Sequence, residues 1–572
     1  MLSTGLLGFL KRMSRSTPFL WLALAVSLGF FLVTADRGFE ITDEGLALVA
    51  ASHPEDVRVS PTAFAYSASI LYRLAGGDPA WFRRLGALSL VICAALLAWG
   101  LSRLLPPKSL ASLLPMAGLG ALVFMSPGIT MPSYNLIAAC GLLAGVGFFL
   151  AGGAEADSRR ASLLAVLSGA GLALAGLAKP PGGVAVSFLL LAMAMGGVVR
   201  VRLGFWFLGG TLMVSQQLMR QGPDAFFQMI VDGVQFNRLV GEGYGPGALA
   251  SQYASEGLVL SGLALAAASP ALLAAGVAKV WARRLLPSAP VWMSGILAVT
   301  LLVAGAFTGG HRQATAGRTA AALLAALLVC VAGAGLARGK EEPGPVRIRM
   351  IAWILAVTPF LSLIGTNTPL GFSVVFFCGP WFLIPKTLES FDPPGTRSIS
   401  ALMALLATSW ILSGPFVAPY RRAAAMAQQT ISVQVGVEGA RLQVDPVTAR
   451  FIRSYRAAAA ACGVRAGDPV LAFSWSPGLV WAVGGRTMAI THFVHDFFPG
   501  ARGANEFALS RVPASVQEQA FVIHTTRGAR VHPTLLLGRK RFPDDYRLCF
   551  EGTWPVNRDV VRLYAPTPGP VS

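Results

Sequence analysis

Charge is scarce in this chain. Asp, Glu, Lys and Arg make up only 13% of its 572 residues, where a soluble globular domain carries roughly 25%. That deficit over this length excludes a soluble enzyme, a disordered chain and a fibrous repeat. Acids are the scarcer sign, 27 against 46 bases, and the net charge is +19. In a soluble protein such an excess suggests nucleic acid, so its distribution along the chain matters. Cysteine and histidine are also few, six of each, and no Cys/His spacing outlines a zinc site. A phosphate-cradling glycine fingerprint is missing too. Gly484-Gly485 follows no such pattern, which excludes nucleotide binding there.

What the chain has in abundance is apolar length: 54% of residues are hydrophobic and the mean hydropathy is +0.61. A membrane-spanning helix needs roughly 20 mostly apolar residues. About thirteen such runs lie near 18–34, 82–101, 110–128, 133–152, 162–178, 182–199, 203–219, 258–278, 290–307, 319–336, 349–365, 370–388 and 398–417. The first follows Lys11, Arg12 and Arg15 and ends near Val33-Thr34-Ala35, the outline of a signal peptide. With twelve runs after it, we read it as a retained anchor. Thirteen spans put the termini on opposite sides. With the N-terminus inside, the inner segments hold 18 cations against six acids and the outer loops 10 against 11. The region after 418 holds 18 against 10. The positive-inside rule therefore accounts for most of the excess, and no nucleic-acid partner is expected. The expected fold is a polytopic α-helical membrane protein with a small soluble α/β domain at its C-terminus.

The domain boundary falls near 418. Beyond it the apolar runs shrink to strand length, at Val470–Phe473, Phe521–His524, Leu535–Leu537 and Val560–Tyr564, with one helix over Pro446–Ala461. Residues 1–418 are thus the transmembrane domain and 419–572 a domain outside. Cys93, Cys140, Cys330 and Cys378 lie in predicted spans and read as packing residues. Cys462 and Cys549 share the outside domain; a disulfide between them stays open, since spacing does not give the Cα separation. His311, His492, His495, His524 and His532 all fall outside. The i, i+3 pair His492/His495 has no evident third ligand, so no metal site is assigned.

Ionisable groups at the outer surface are the functional candidates. The first outside loop, 35–81, is densest, and within it Thr42 precedes a helix expected from Asp43 to about Ser52. Asp43 and Glu44 sit in its first turn, where the helix dipole favours carboxylates. Adjacent helical residues point about 100° apart, so one can face a cleft while the other supports it. Further outside sites are Met131–Asn135, the Lys179-Pro180-Pro181-Gly182-Gly183 turn, the fourth loop at 220–257 with Asn237-Arg238, and Gly365–Pro369.

Asp43-Glu44-Gly45, the Arg83-Arg84-Leu85 entry to the second span and Ala173–Lys179 stand in an order and on a membrane side that resemble the GT-C superfamily of integral-membrane glycosyltransferases. Within it the chain resembles the lipid A aminoarabinose transferases and the protein O-mannosyltransferases. Many relatives carry an Asp at the start of the fourth span, where this chain has Tyr134-Asn135. Asn135 supplies no charge, which argues against a divalent cation bridging two loops and leaves the cofactor unknown.

The resemblance implies a sugar donor linked to polyprenyl phosphate and an acceptor hydroxyl on a glycolipid, polysaccharide or protein. Asp43 would be the general base and Glu44 its support or alternate. Lys179, Arg84 and Arg238 would neutralise the leaving phosphate, and Asn135 would orient substrate. The Ala/Arg-rich usage and compact loops look bacterial, which gives a cytoplasmic membrane with the C-terminal domain in the periplasm. A transporter or flippase of lipid-linked sugars, or a non-catalytic envelope-assembly subunit, is the alternative. No repeated halves of the transporter kind are evident.

Overall fold

A computed structural model describes residues 17–106, 109–126, 128–197, 199–241, 247–259, 262, 343–365, 370–389, 396–417, 420–436, 439–473, 475–494, 498–526 and 535–567. The runs at 290–307 and 319–336, all but a few residues of 258–278, and Cys330, His311, His495 and His532 lie outside the described residues. So do most of Gly241–Gly247 and all of Gly365–Pro369 except Gly365.

Helices fill the first 240 residues: α1 (Thr17–Thr34), α2 (Asp43–Ser52), α3 (Phe64–Leu74), α4 (Pro79–Ser102), α5 (Leu110–Leu122), α6 (Tyr134–Ala154), α7 (Ser158–Ala178), α8 (Pro180–Met195), α9 (Leu203–Gln221) and α10 (Pro223–Val240). Among the described residues, α1, α4, α6 and α7 are long and apolar enough to cross a membrane; α8 is apolar but shorter. The starts are written locally. Asp78 caps α4 by accepting from Trp81 N at 2.7 Å, with Pro79 next, and Asp157 caps α7 through Arg159 N at 2.8 Å. Small residues bring the spans close. A Cβ on Gly100 of α4 would lie 2.0 Å from the Gly147 carbonyl oxygen of α6.

The window 220–257, expected as an outer loop, is helical over α10. Phe226, Met229, Gly233, Phe236 and Val240 recur at helical spacing and bury one face. The run 370–388, expected as one span, is broken. It consists of Leu370–Ser373, 3-10 turns at Val374–Phe376 and Gly379–Leu383, and Ile384–Leu388, between α11 (Pro343–Leu361) and α12 (Thr396–Val417). Pro380 and Pro385 remove backbone donors that a continuous helix needs. Trp381, Phe382, Leu383 and Ile384 are fully buried, the setting in which irregular backbone is tolerated at membrane depth.

Residues 431–566 hold β1 (Ile431–Gln434), β2 (Arg441–Val444), α13 (Pro446–Ala461), β3 (Val470–Phe473), α14 (Pro477–Ala482), α15 (Ala501–Leu509), α16 (Ala514–Gln519), β4 (Phe521–Thr526), β5 (Leu535–Leu537), β6 (Lys540–Phe542), β7 (Tyr546–Thr553) and β8 (Val560–Pro566). A four-stranded sheet runs β3-β4-β8-β7. The β3–β4 pair is parallel and the other two are antiparallel. Cys462, at the end of α13, is disulfide-bonded to Cys549 in β7.

This region is docked on the first loop. Arg486 forms a fork with the buried Asp56 at 2.9 and 2.6 Å. Trp481 Nε1 donates to Tyr72 Oη at 3.1 Å. Gly38 N donates to Gln443 O at 2.7 Å, and Gln443 N donates to Asp36 O at 2.8 Å. The tightest seam is glycine on glycine: a Cβ on Gly45 of α2 would meet Gly478 N at 2.3 Å. The helix carrying Asp43 is thereby held directly against α14.

Candidate active site

α2 begins as the sequence predicts, but Thr42 does not cap it with its side chain. Glu40 does the work instead. Its carboxylate accepts from Thr42 N at 2.7 Å and Glu44 N at 2.8 Å, and from the Thr42 hydroxyl. Glu40 is fully buried. Burial, helped by the nearby charge of Asp43, pushes its pKa up to about 7.

The two adjacent carboxylates diverge. Glu44 points inward. It pairs with Arg83 Nη2 at 2.7 Å and Arg422 Nη2 at 3.3 Å, all three nearly fully buried. Thr130 adds a backbone donor at 3.0 Å and its hydroxyl. Burial alone would raise the Glu44 pKa, but Arg83, Arg422 and Thr130 together hold it below the usual value. Asp43 points outward, its side chain 44% exposed. It accepts from Tyr420 Oη at 2.5 Å and Arg421 Nη1 at 3.3 Å. Arg421 also donates to the Thr42 hydroxyl and lies over the rings of Tyr420 at 4.9 Å and Trp475 at 5.4 Å. Arg421 and Trp475 both have left-handed backbone, φ 47° and 45°. Such conformations cluster at functional sites.

A second cluster forms where α7 meets α8. Lys179 sits in the one-residue connection between α7 and α8. It is 6% exposed. Its Nζ donates to Asn135 Oδ1 at 3.3 Å and lies 4.9 Å from the Phe377 ring. Burial brings its pKa down to about 7. No carboxylate pairs with it among the described residues. Phe377 also lines a small apolar cavity of about 20 Å³ with Leu90, Leu97, Leu142 and Leu355. Asn135 and Thr130 are five residues apart, which bounds their Cα separation at roughly 17 Å.

The structure thus brings Asn135 and Lys179 together and separates Asp43 from Glu44. It does not bring Arg84 or Arg238 to either cluster. Arg84 Nε donates to Leu32 O at 3.0 Å and its guanidinium covers Trp81; the neighbouring Arg83 is the one that reaches Glu44. Arg238 is exposed near the end of α10. His492 lies in a bend next to the Phe473–Phe493 bridge, not on a helix. Glu40, Tyr420, Arg421 and Arg422 were not found from sequence. The signal available was the Tyr-Arg-Arg triplet directly after the last apolar run, which reads equally well as topology charge.

The chain is therefore a helix-rich protein with four helices, among the described residues, long and apolar enough to cross a membrane, a carboxylate–arginine cluster and a buried lysine. It is similar to the crystal structure of ArnT from Cupriavidus metallidurans in the apo state, with a TM-score of 0.44 and 16% identity over 96% of this chain and 98% of that one. It is likewise similar to the same protein bound to undecaprenyl phosphate, with a TM-score of 0.41 and 15% identity over 96% and 98%. No family model and no curated protein matches the chain.

Proposed function

We propose that the protein is a membrane glycosyltransferase that moves a sugar from a polyprenyl-phosphate donor to an acceptor hydroxyl at the outer surface. The observation that carries this is a half-exposed carboxylate, Asp43, together with a buried lysine, Lys179, that has no anionic partner among the described residues. Burying an ammonium unpaired is costly; a lipid phosphate supplies its counter-charge. Asp43 removes the acceptor proton as the acceptor oxygen bonds to the anomeric carbon, while the anomeric carbon–phosphate oxygen bond breaks and polyprenyl phosphate leaves. Lys179, with Asn135, faces the departing phosphate. Glu44 supports α2 by tying Arg83, Arg422 and Thr130 to it. The topology of this reading is the sequence-derived one: thirteen spans in a bacterial cytoplasmic membrane, the N-terminus cytoplasmic, and 419–572 a periplasmic α/β domain.

The test compares lipid-linked sugars and envelope glycans in cells carrying the wild type or Asp43→Asn at matched expression. Accumulation of one polyprenyl-phosphate sugar, with one glycan losing that sugar, supports the transferase and identifies donor and acceptor. Unchanged pools would leave Asp43 a helix-start acid and put the transporter or assembly-subunit reading in its place.

A further inference from the structure

Asp43 has one engaged carboxylate oxygen and one open one. Tyr420 Oη, at 2.5 Å, and Arg421 Nη1, at 3.3 Å, both donate to Oδ2. Oδ1 accepts from none of the described residues. The terminal torsion of an aspartate is broad and two-fold, so an unpinned Asp43 would present either oxygen in many directions. Two donors on Oδ2 remove that freedom. The donors are themselves fixed. The left-handed bend at Arg421 lets three consecutive residues reach one helical turn: Tyr420 and Arg421 meet Asp43, and Arg422 meets Glu44. The Tyr420 backbone packs on Gly128, where a Cβ would come within 3.1 Å of Tyr420 N. Burial pushes the Tyr420 phenol up, with the Asp43 charge adding to it, so the hydroxyl keeps its proton and stays a donor. The Arg421 guanidinium lies over the Trp475 ring. Trp475 is brought beside α2 by the glycine seam three residues on, where Gly478 N donates to Ile41 O at 2.8 Å.

We propose that Tyr420 and Arg421 are positioning residues for Asp43, holding Oδ2 so that Oδ1 is the oxygen that takes the acceptor proton, with Trp475 keeping Arg421 in place. This assignment rests on the transferase reading, to which it adds the oxygen that acts and the groups that aim it. The acceptor O–H bond breaks toward Oδ1, its electron pair forms the bond to the anomeric carbon, and the pair of the old carbon–oxygen bond leaves with polyprenyl phosphate. The effect is one of geometry. Taking donors away makes a carboxylate a stronger base, so a merely electrostatic influence would give equal or faster transfer once they are lost.

The test uses detergent-solubilised membranes of cells lacking the protein, which on the transferase reading hold accumulated polyprenyl-phosphate sugar and its unmodified acceptor. Purified full-length wild type or variant is added, and the loss of that donor is timed. Tyr420→Phe and Arg421→Met should each slow transfer about 10–100-fold, and Tyr420→Phe should unfold at a midpoint close to the wild type. Trp475→Leu should slow it about tenfold, and Trp475→Phe, which keeps a ring under the guanidinium, should restore most of that loss. Tyr420→Phe added to Asp43→Asn should slow transfer no further than Asp43→Asn alone. Additive losses would make the two residues merely structural and overturn the assignment. Transfer at or above the wild-type rate in Tyr420→Phe and Arg421→Met, with Asp43→Asn impaired, overturns it too and leaves the transferase reading standing. Membranes without the donor, or full transfer by Asp43→Asn, remove that reading first. Should Arg421→Met fail to fold, Tyr420→Phe, which deletes a single oxygen, decides.

Discussion

Asp43 and Glu44 are neighbours in one helical turn, yet they live in different media. Glu44 is 1% exposed and shared by two buried arginines and a threonine. Asp43 is 44% exposed and held only by a phenol and a half-buried guanidinium. Arg83 and Arg84 repeat the lesson on α4, one reaching Glu44 and the other a backbone carbonyl and Trp81. In each pair the helical turn of about 100° per residue separates a structural group from an accessible one. Residue type therefore tells less about role than the face it occupies.

The comparison breaks most sharply at Glu44. Glu44→Gln leaves two buried guanidiniums without a counter-charge and should destabilise the protein by about 3–5 kcal/mol, read as a lower unfolding midpoint in detergent. A midpoint near the wild type would mean that Glu44 is no more structural than Asp43. Asp43→Asn should do the reverse. On the proposed transferase reading, transfer falls about 10²–10⁴-fold while the midpoint stays close to the wild type, and equal losses of stability in both variants would erase the distinction.

Glu40 sharpens the picture through pH. Its folded pKa, about 7, lies above the ordinary 4.5. Its contribution to stability is therefore full below about 4.5 and is lost as pH rises through 7. The wild type should lose on the order of 3 kcal/mol across that window, and Glu40→Gln should flatten the midpoint-against-pH curve. An unchanged slope in the variant would assign the titration elsewhere. The smallest effect belongs to Arg84→Ala. Losing one carbonyl bond and one ring contact should cost about 0.5–1 kcal/mol with transfer intact. A large loss of transfer would return Arg84 to the phosphate site expected from its sequence.

Much of the local structure was readable beforehand. Pro446–Ala461 and Val470–Phe473 begin and end where the sequence places them, because an Asp-Pro cap and a short apolar run are local signals. The broken stretch 370–388 was misread as one span, since apolar composition outweighed Pro380 and Pro385. Arg83 could have been preferred to Arg84. It shares a buried stripe with Gly86, Ala87 and Leu90 at i+3, i+4 and i+7, which marks the inward face of α4.

By itself, then, the sequence marked out the apolar runs and offered Asp43, Asn135 and Lys179 as candidates, because composition and periodicity act over a few residues at a time. Only the tertiary structure decided what those groups meet. Arg421 and Arg422 reach Asp43 and Glu44 across 378 residues of chain. Lys179 finds an amide and a ring where an anion would balance it. Contacts at such separation depend on how the helices pack and which faces glycine lets approach, and no local pattern carries that information.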